Sequence, residues 1–208
     1  MKDLGIHISS DLKWSHHINY LFRIGSVTSY QILKSFKSKN IWTLIKLYTT
    51  YIRPKLEYNS SVWNPYLKKD ILKLESVQRS FTRRACLRCG IPFSSYSDRL
   101  DKLNIKSLQY RRLVSDLTLL FKIVNGYSHL NFDNFFIIRC FTHDLRGSKI
   151  KIRPLNNFKY NQWNNSFFSK VTTIWNALPD HITASESLLA FKQNVNKYNL
   201  NSFIDTVF

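Results

Sequence analysis

Acidic residues are scarce in this chain: 13 Asp and Glu stand against 31 Lys and Arg among 208 residues, a formal charge of +18. A surplus of that size selects polyanionic partners, nucleic acid or an anionic membrane surface, and is silent on fold. Glycine and proline are also few, five of each, which leaves little material for long flexible linkers or low-complexity tracts. Three cysteines are too few, and odd in number, for a disulfide framework. No uncharged apolar run approaches the roughly 18 residues that cross a bilayer. The opening Met1-Lys2-Asp3-Leu4-Gly5-Ile6 lacks the apolar core of a signal peptide. These absences predict an intracellular protein, nuclear or cytoplasmic, with no membrane partner. Walker loop, dinucleotide fingerprint, serine elbow and HExxH helix are all missing. So is any Asp-Asp pair that could hold two catalytic metals. No active site is expected.

What the chain does have is apolar and aromatic material. Hydrophobic residues make up 44%, enough for the core of one large domain or two small ones. Aromatics reach 15%; disordered basic tails lack such content. Most of these rings are expected in the core, and those lying among cations suit stacking on exposed bases.

The most informative stretch runs from Lys68 to Gly90, with seven Lys/Arg against one Asp and one Glu. It reads as one helix. On a 100° wheel Ile71, Leu74, Val77, Phe81 and Ala85 share a face. Arg79 and Arg83 lie opposite, with Lys68 and Lys69 near them and Arg84 at the flank. Gly90 and Pro92 stop the helix. Lys68, Lys69, Arg79, Arg83 and Arg84 are therefore candidates for phosphate contacts, against the alternative of a merely solvated face.

Other elements follow from periodicity. Leu4, Ile6 and Ile8 alternate as a short strand, whose partner is expected to precede Met1. From Ser15 a helix carries Ile18, Leu21, Phe22, Gly25, Ile32 and Phe36 on one side. Residues 41–52 are apolar almost all round, which predicts a central helix ending or kinking at Arg53-Pro54. Glu57 is read as a paired structural carboxylate in preference to a catalytic base. Helices are further expected at 94–103, 107–125, 165–178 and 185–198. Residues 146–154 alternate cations with isoleucines, which suits an edge strand with a basic outer face; Lys149, Lys151 and Arg153 join the candidate nucleic-acid-binding residues. The fold class is thus mainly α: a helical bundle with a short N-terminal β element, then a second small helical region with an edge strand. The boundaries are placed at 1–14, 15–90 and 91–208.

Cys86-x-x-Cys89 and Cys140-x-x-His143 form the one metal-like constellation. The first pair follows a helix end instead of a zinc-knuckle turn, and ordinary buried cysteines are the preferred reading. No metal and no cofactor are assigned to this chain.

The order of the motifs is also informative. Leu4-Gly5-Ile6, Leu12-Lys13-Trp14 and His17-Ile18 resemble a segment of non-LTR retrotransposon reverse transcriptases, most like the jockey-type group. Ile52-Arg53-Pro54-Lys55-Leu56-Glu57-Tyr58 and Val62-Trp63-Asn64-Pro65 are similar to its next block. Leu74-Glu75-Ser76-Val77-Gln78-Arg79-Ser80-Phe81-Thr82-Arg83-Arg84 resembles its most recognisable one. Tyr96-Ser97-Asp98-Arg99-Leu100, Arg111-Arg112-Leu113, Arg146-Gly147, Phe167-Phe168-Ser169 and Trp175-Asn176-Ala177-Leu178-Pro179 continue the series. The resemblance implies a fragment: the palm's last hairpin, the thumb and the C-terminal region of an RNA-directed DNA polymerase. The catalytic aspartates and their magnesium would belong to the missing palm. The partner it implies is an RNA template or RNA–DNA hybrid held by its backbone, with a DNA target possible. The rival readings are an independent basic helical module binding nucleic acid or protein, and a non-functional relic.

Overall fold

The computed structural model describes residues 1–92, 94–140, 150–155 and 164–204. The fold is mainly helical, with two small antiparallel hairpins. It divides into two compact units, Met1–Arg111 and Arg112–Asp205; Gly90 and Ile91 lie inside the first.

The first unit opens with β1 (Lys2–Asp3) paired to β2 (Ile6–His7). This corrects the expectation that the first strand's partner precedes Met1. Leu4 and Gly5 both take positive φ, 42° and 86°, the geometry of a type I′ turn whose twist suits a two-residue hairpin. The alternation of Leu4 with Ile6 is therefore a turn residue beside a strand residue. Leu4 is exposed and Ile6 is buried.

Helix α1 (Ser15–Ser35) follows. Ile18, Leu21 and Ile32 enter the core as the period predicts, whereas Phe36 lies beyond the helix end and is exposed. Gly25 is where α1 approaches its neighbours: a Cβ there would stand 3.0 Å from both Leu56 and Val77. α2 (Ile41–Leu47) is capped by Asn40 and widens into a π turn at Tyr48–Ile52, then continues as α3 (Arg53–Glu57). Pro54 thus neither ends the helix nor leaves its turn regular. The wider turn relieves the clash a proline ring makes with the preceding turn, and Arg53 N–H bonds the Tyr48 carbonyl across it. Nor is this segment apolar all round: Leu44, Ile45, Tyr48 and Ile52 are buried, while Trp42 and Tyr51 face solvent. α4 (Ser60–Trp63) sets Trp63 in the core.

α5 (Lys68–Arg88) then packs along α1. Its end is a Schellman turn: Ile91 N–H bonds the Cys86 carbonyl, Gly90 N–H bonds that of Leu87, and Gly90 takes φ 69°. α6 (Tyr96–Lys102) starts on a capping box between Ser95 and Asp98.

α7 (Leu108–Val124) carries the chain across the unit boundary. In the second unit Phe121, Trp175 and Phe191 form an aromatic core, with the Phe121 and Phe191 rings stacked at 4.3 Å. Trp175 belongs to α8 (Phe167–Ala177) and Phe191 to α10 (Leu188–Lys197), with the short α9 (Asp180–Thr183) between them. Phe191 and Val195 are buried, whereas Leu189 is exposed. The expected strand is β4 (Ile150–Pro154). It pairs antiparallel with β3 (Phe136–Cys140), a strand that periodicity did not reveal.

Candidate nucleic-acid interface

α5 sorts its side chains by burial more sharply than its wheel suggests. Ile71, Leu74, Val77, Phe81 and Ala85 are buried as expected. So are both of the helix's carboxylates. Asp70 accepts a 2.6 Å hydrogen bond from the Ser15 hydroxyl. Glu75 has no exposed surface and sits against two other elements. One of its oxygens accepts from the Tyr96 hydroxyl at 2.5 Å, and both accept from Leu108 N–H at 3.1 Å. A carboxylate at the first amide of α7 also meets that helix's positive end.

Gln78 is equally buried and extends the network. It accepts from the Tyr48 hydroxyl at 2.7 Å and donates to Tyr96 Oη at 2.9 Å and to the Lys106 carbonyl at 3.1 Å. Burial, reinforced by the charge of Glu75, holds both tyrosines protonated far above the usual phenol range. Buried polar groups are costly unless paired, and here a chain of donors and acceptors pairs them.

The outer face of α5 is what remains. Lys68, Lys69, Arg83 and Arg84 are exposed. Lys68 and Lys69 begin the helix, where no side chain caps its first amides, and those amides and the helix dipole themselves favour anions. Arg84 Nε donates to the Ser80 carbonyl at 3.3 Å, which lays the side chain along the helix. Arg79 departs from the expectation that it faces away from the bundle. It is half-buried, with its guanidinium 5.0 Å from the centroid of the Tyr96 ring.

Two further cations adjoin this face. Lys73 Nζ donates to Asn19 Oδ1 and lies 5.3 Å from the Phe22 ring. Arg88 Nη1 donates to the Phe36 carbonyl at 2.7 Å, which ties the end of α5 to the end of α1. Glu57 is paired, its two oxygens held by the Arg111 guanidinium, with Nη2–Oε2 at 2.9 Å.

The strand candidates stand in the second unit. Lys151 is half-buried and Arg153 exposed on β4; Lys149 lies outside the described residues. The Asn176 side chain bonds both backbone groups of Ile152, accepting from its N–H at 2.9 Å and donating to its carbonyl at 2.7 Å. The expected edge is thus closed there by a side chain standing in for a neighbouring strand.

Of the metal-like constellation, the first pair lies among the described residues. Cys86 is buried and Cys89 half-buried, and burial pushes both thiols above their usual range. Cys140 ends β3, and His143 lies outside the described residues. No three His, Cys, Asp or Glu side chains are grouped to hold a metal ion among the described residues. Nor is any described helix long and apolar enough to cross a membrane.

Comparison with known proteins adds one relative. An uncharacterized protein of Caenorhabditis elegans is 33% identical over 129 residues, a match covering 62% of this chain and 65% of that protein. No family model matches. No solved structure matches. The function must therefore be read from the geometry.

Sequence reasoning missed the inward carboxylates, and with them the reason why the outer face is purely cationic. The available signal was spacing: Glu75 and Gln78 fall on the flanks of the apolar stripe, one residue from Leu74 and Val77. Lys73 was counted as charge without being placed.

Proposed function

We propose that this chain is a non-catalytic, nucleic-acid-binding portion of a non-LTR retrotransposon reverse transcriptase, gripping template RNA or an RNA–DNA hybrid by its backbone. One observation carries the reading: α5 turns its only two carboxylates inward onto hydrogen-bond donors and leaves its solvent face to lysine and arginine. Removing anions from a cationic surface strengthens the field felt by a phosphate chain. The helix presents charge without a ring of amide side chains to read base edges, so the contact is positional and not sequence-selective. The order of motifs from Leu4 to Pro179 supports the assignment to this family.

The test is a salt titration with RNA–DNA hybrid. The Arg83→Ala/Arg84→Ala double variant should bind more weakly across all sequences, and its log–log salt slope should flatten by about one per lost phosphate contact. Hybrid affinity equal to that of the unmodified chain would remove the assignment.

One observation favours an independent basic binding module instead. β2 finds an antiparallel partner within the chain, at Lys2–Asp3. On that reading the same double variant loses affinity for nucleic acid, but the hybrid is not preferred over duplex DNA.

A further inference from the structure

We propose that the β1–β2 hairpin is an acid-released latch: protonation of the imidazoles gathered beneath it undocks the hairpin from the start of α1. The inference is independent of the reading above and uses no nucleic-acid contact.

Three observations carry it. The first is a cluster of rings. The fold sets His7 of β2 against the first turns of α1, where its ring centroid lies 5.0 Å from that of His16, 6.1 Å from His17 and 4.6 Å from Tyr20. His17 is in turn 5.2 Å from the Trp63 ring of α4. Imidazolium charges at such separations repel one another, and burial removes the water that would screen them.

The second is the bond that joins the two elements. His7 N–H donates to His17 Nδ1 at 3.3 Å. Protonation of that nitrogen turns the acceptor into a donor facing a donor. His7 Nε2 is shielded from solvent and has no hydrogen-bond partner among the described residues, so a charged ring there gains no acceptor to offset its burial.

The third is the company the rings keep. β1 brings Lys2 and the amino terminus, α1 brings His16 and Tyr20, and α4 brings the Trp63 indole. Asp70 of α5, at the same end of α1, is occupied by the Ser15 hydroxyl. Burial first, then His16, Lys2 and the amino terminus, lower the pKa of His7. Burial first, then His7 and His16, lower that of His17 to about 4. In the released hairpin both rings return toward about 6.5. The docked form thus binds fewer protons, so docking is complete above about pH 6.5 and weakens as pH falls toward about 4.

The hairpin is built to leave as a piece. Strands of two residues have little stability of their own, and this pair depends on the seat of its buried Ile6. The connection to α1 is tied to itself: Lys13 N–H donates to Asp11 Oδ1 at 3.1 Å, and Lys13 Nζ lies 3.3 Å from Asp11 Oδ2. Release uncovers the Ile6 seat and the His17 and Tyr20 rings, and leaves new positive charge at the start of α1.

The experiment is amide hydrogen exchange on the full chain, read at His7, whose N–H is protected by docking itself, and at Val77 in the core. From about pH 7.5 to about pH 5, with intrinsic rates corrected, protection at His7 should fall by about 30-fold from the His17 shift alone. At about pH 5, sub-denaturing urea should leave His7 exchange flat while accelerating Val77, because hairpin release exposes little surface. His17→Gln keeps an acceptor for the His7 amide and should abolish most of the pH dependence. His16→Gln, at an exposed position, should reduce it by relieving the repulsion on the other two rings, and it decides the matter if the buried substitution does not fold. Protection at His7 that is unchanged by acid, that tracks Val77 in urea, or that keeps its full pH dependence in either variant would overturn the proposal.

Discussion

α5 and β4 both carry cations on an outer face, and they reach that state by different routes. On β4 the cations come from alternation: Ile152 is buried, Lys151 and Arg153 lie on the other side, and no acid has to be disposed of. On α5 the sequence includes carboxylates, and the fold hides them. Asp70 and Glu75 go inward to Ser15, Tyr96 and Leu108 N–H. A charge hidden this way serves twice. It clears the surface of α5 and joins that helix to α1, α6 and the start of α7. β4 is fastened instead at its backbone, by Asn176.

The sharpest way to break this comparison is Glu75→Ala. If the buried carboxylate is structural, its loss leaves Leu108 N–H and the Tyr96 hydroxyl without their acceptor inside the core. The expected cost is about 3 kcal/mol, seen as a lower urea midpoint. Glu75→Gln keeps an oxygen acceptor and should lose clearly less. A Glu75→Ala loss below about 1 kcal/mol would mean that the network does not hold α5 to α7.

That network also marks where sequence reading stops. The helices were legible because apolar residues recur at helical spacing: Ile71, Leu74, Val77, Phe81 and Ala85 are all buried. Stop signals were legible too, since Gly90 supplies the positive φ that a Schellman turn requires. The burial of Glu75 and Gln78 was not legible, because their partners Tyr48, Tyr96 and Leu108 are brought near by tertiary packing. A wheel scores a glutamate as surface unless a donor is known to wait for it. β2's partner was missed for the opposite reason. Its turn residues, Leu4 and Gly5, mimic strand alternation, and only the backbone angles distinguish the two. Among candidate contacts, Lys68, Lys69 and Arg83 face solvent as expected, and Arg84, expected at the flank of the stripe, is exposed as well; Arg79 is half-buried. Its attraction to the Tyr96 ring depends on where α6 packs against α5, which no local pattern announces.

Acid titration sharpens the comparison next. The titration concerns a group outside both α5 and β4. His17 is the candidate. It is buried against Trp63, and its Nδ1 accepts from His7 N–H at 3.3 Å, which requires the neutral ring. Burial first, then the nearby His7 and His16, lower its pKa from 6.5 to about 4. Between those values the unfolded chain binds more protons than the folded one. Stability is therefore complete above about pH 6.5 and falls as pH drops toward about 4, by about 3 kcal/mol in all. Urea midpoints at about pH 7.5 and about pH 5 measure it. His17→Gln, which retains an acceptor, should flatten the dependence; an unchanged slope would assign it elsewhere.

The smallest expected effect tests the other arm of the comparison. Asn176→Ala removes both side-chain bonds to Ile152 and reopens the strand edge that they close. Solvent can take over at an edge, so the expected cost is about 1 to 2 kcal/mol, less than for Glu75. The readout that distinguishes a local clamp from general destabilisation is amide exchange at Ile152, which should accelerate more than at Val171 or Trp175 in the adjoining core. Asn176→Asp divides the clamp in half: its carboxylate still accepts from Ile152 N–H but cannot donate to the Ile152 carbonyl. An intermediate exchange rate in that variant means the two bonds act separately. A rate equal to that of the alanine variant means they act only as a pair, as ladder bonds to a true strand do.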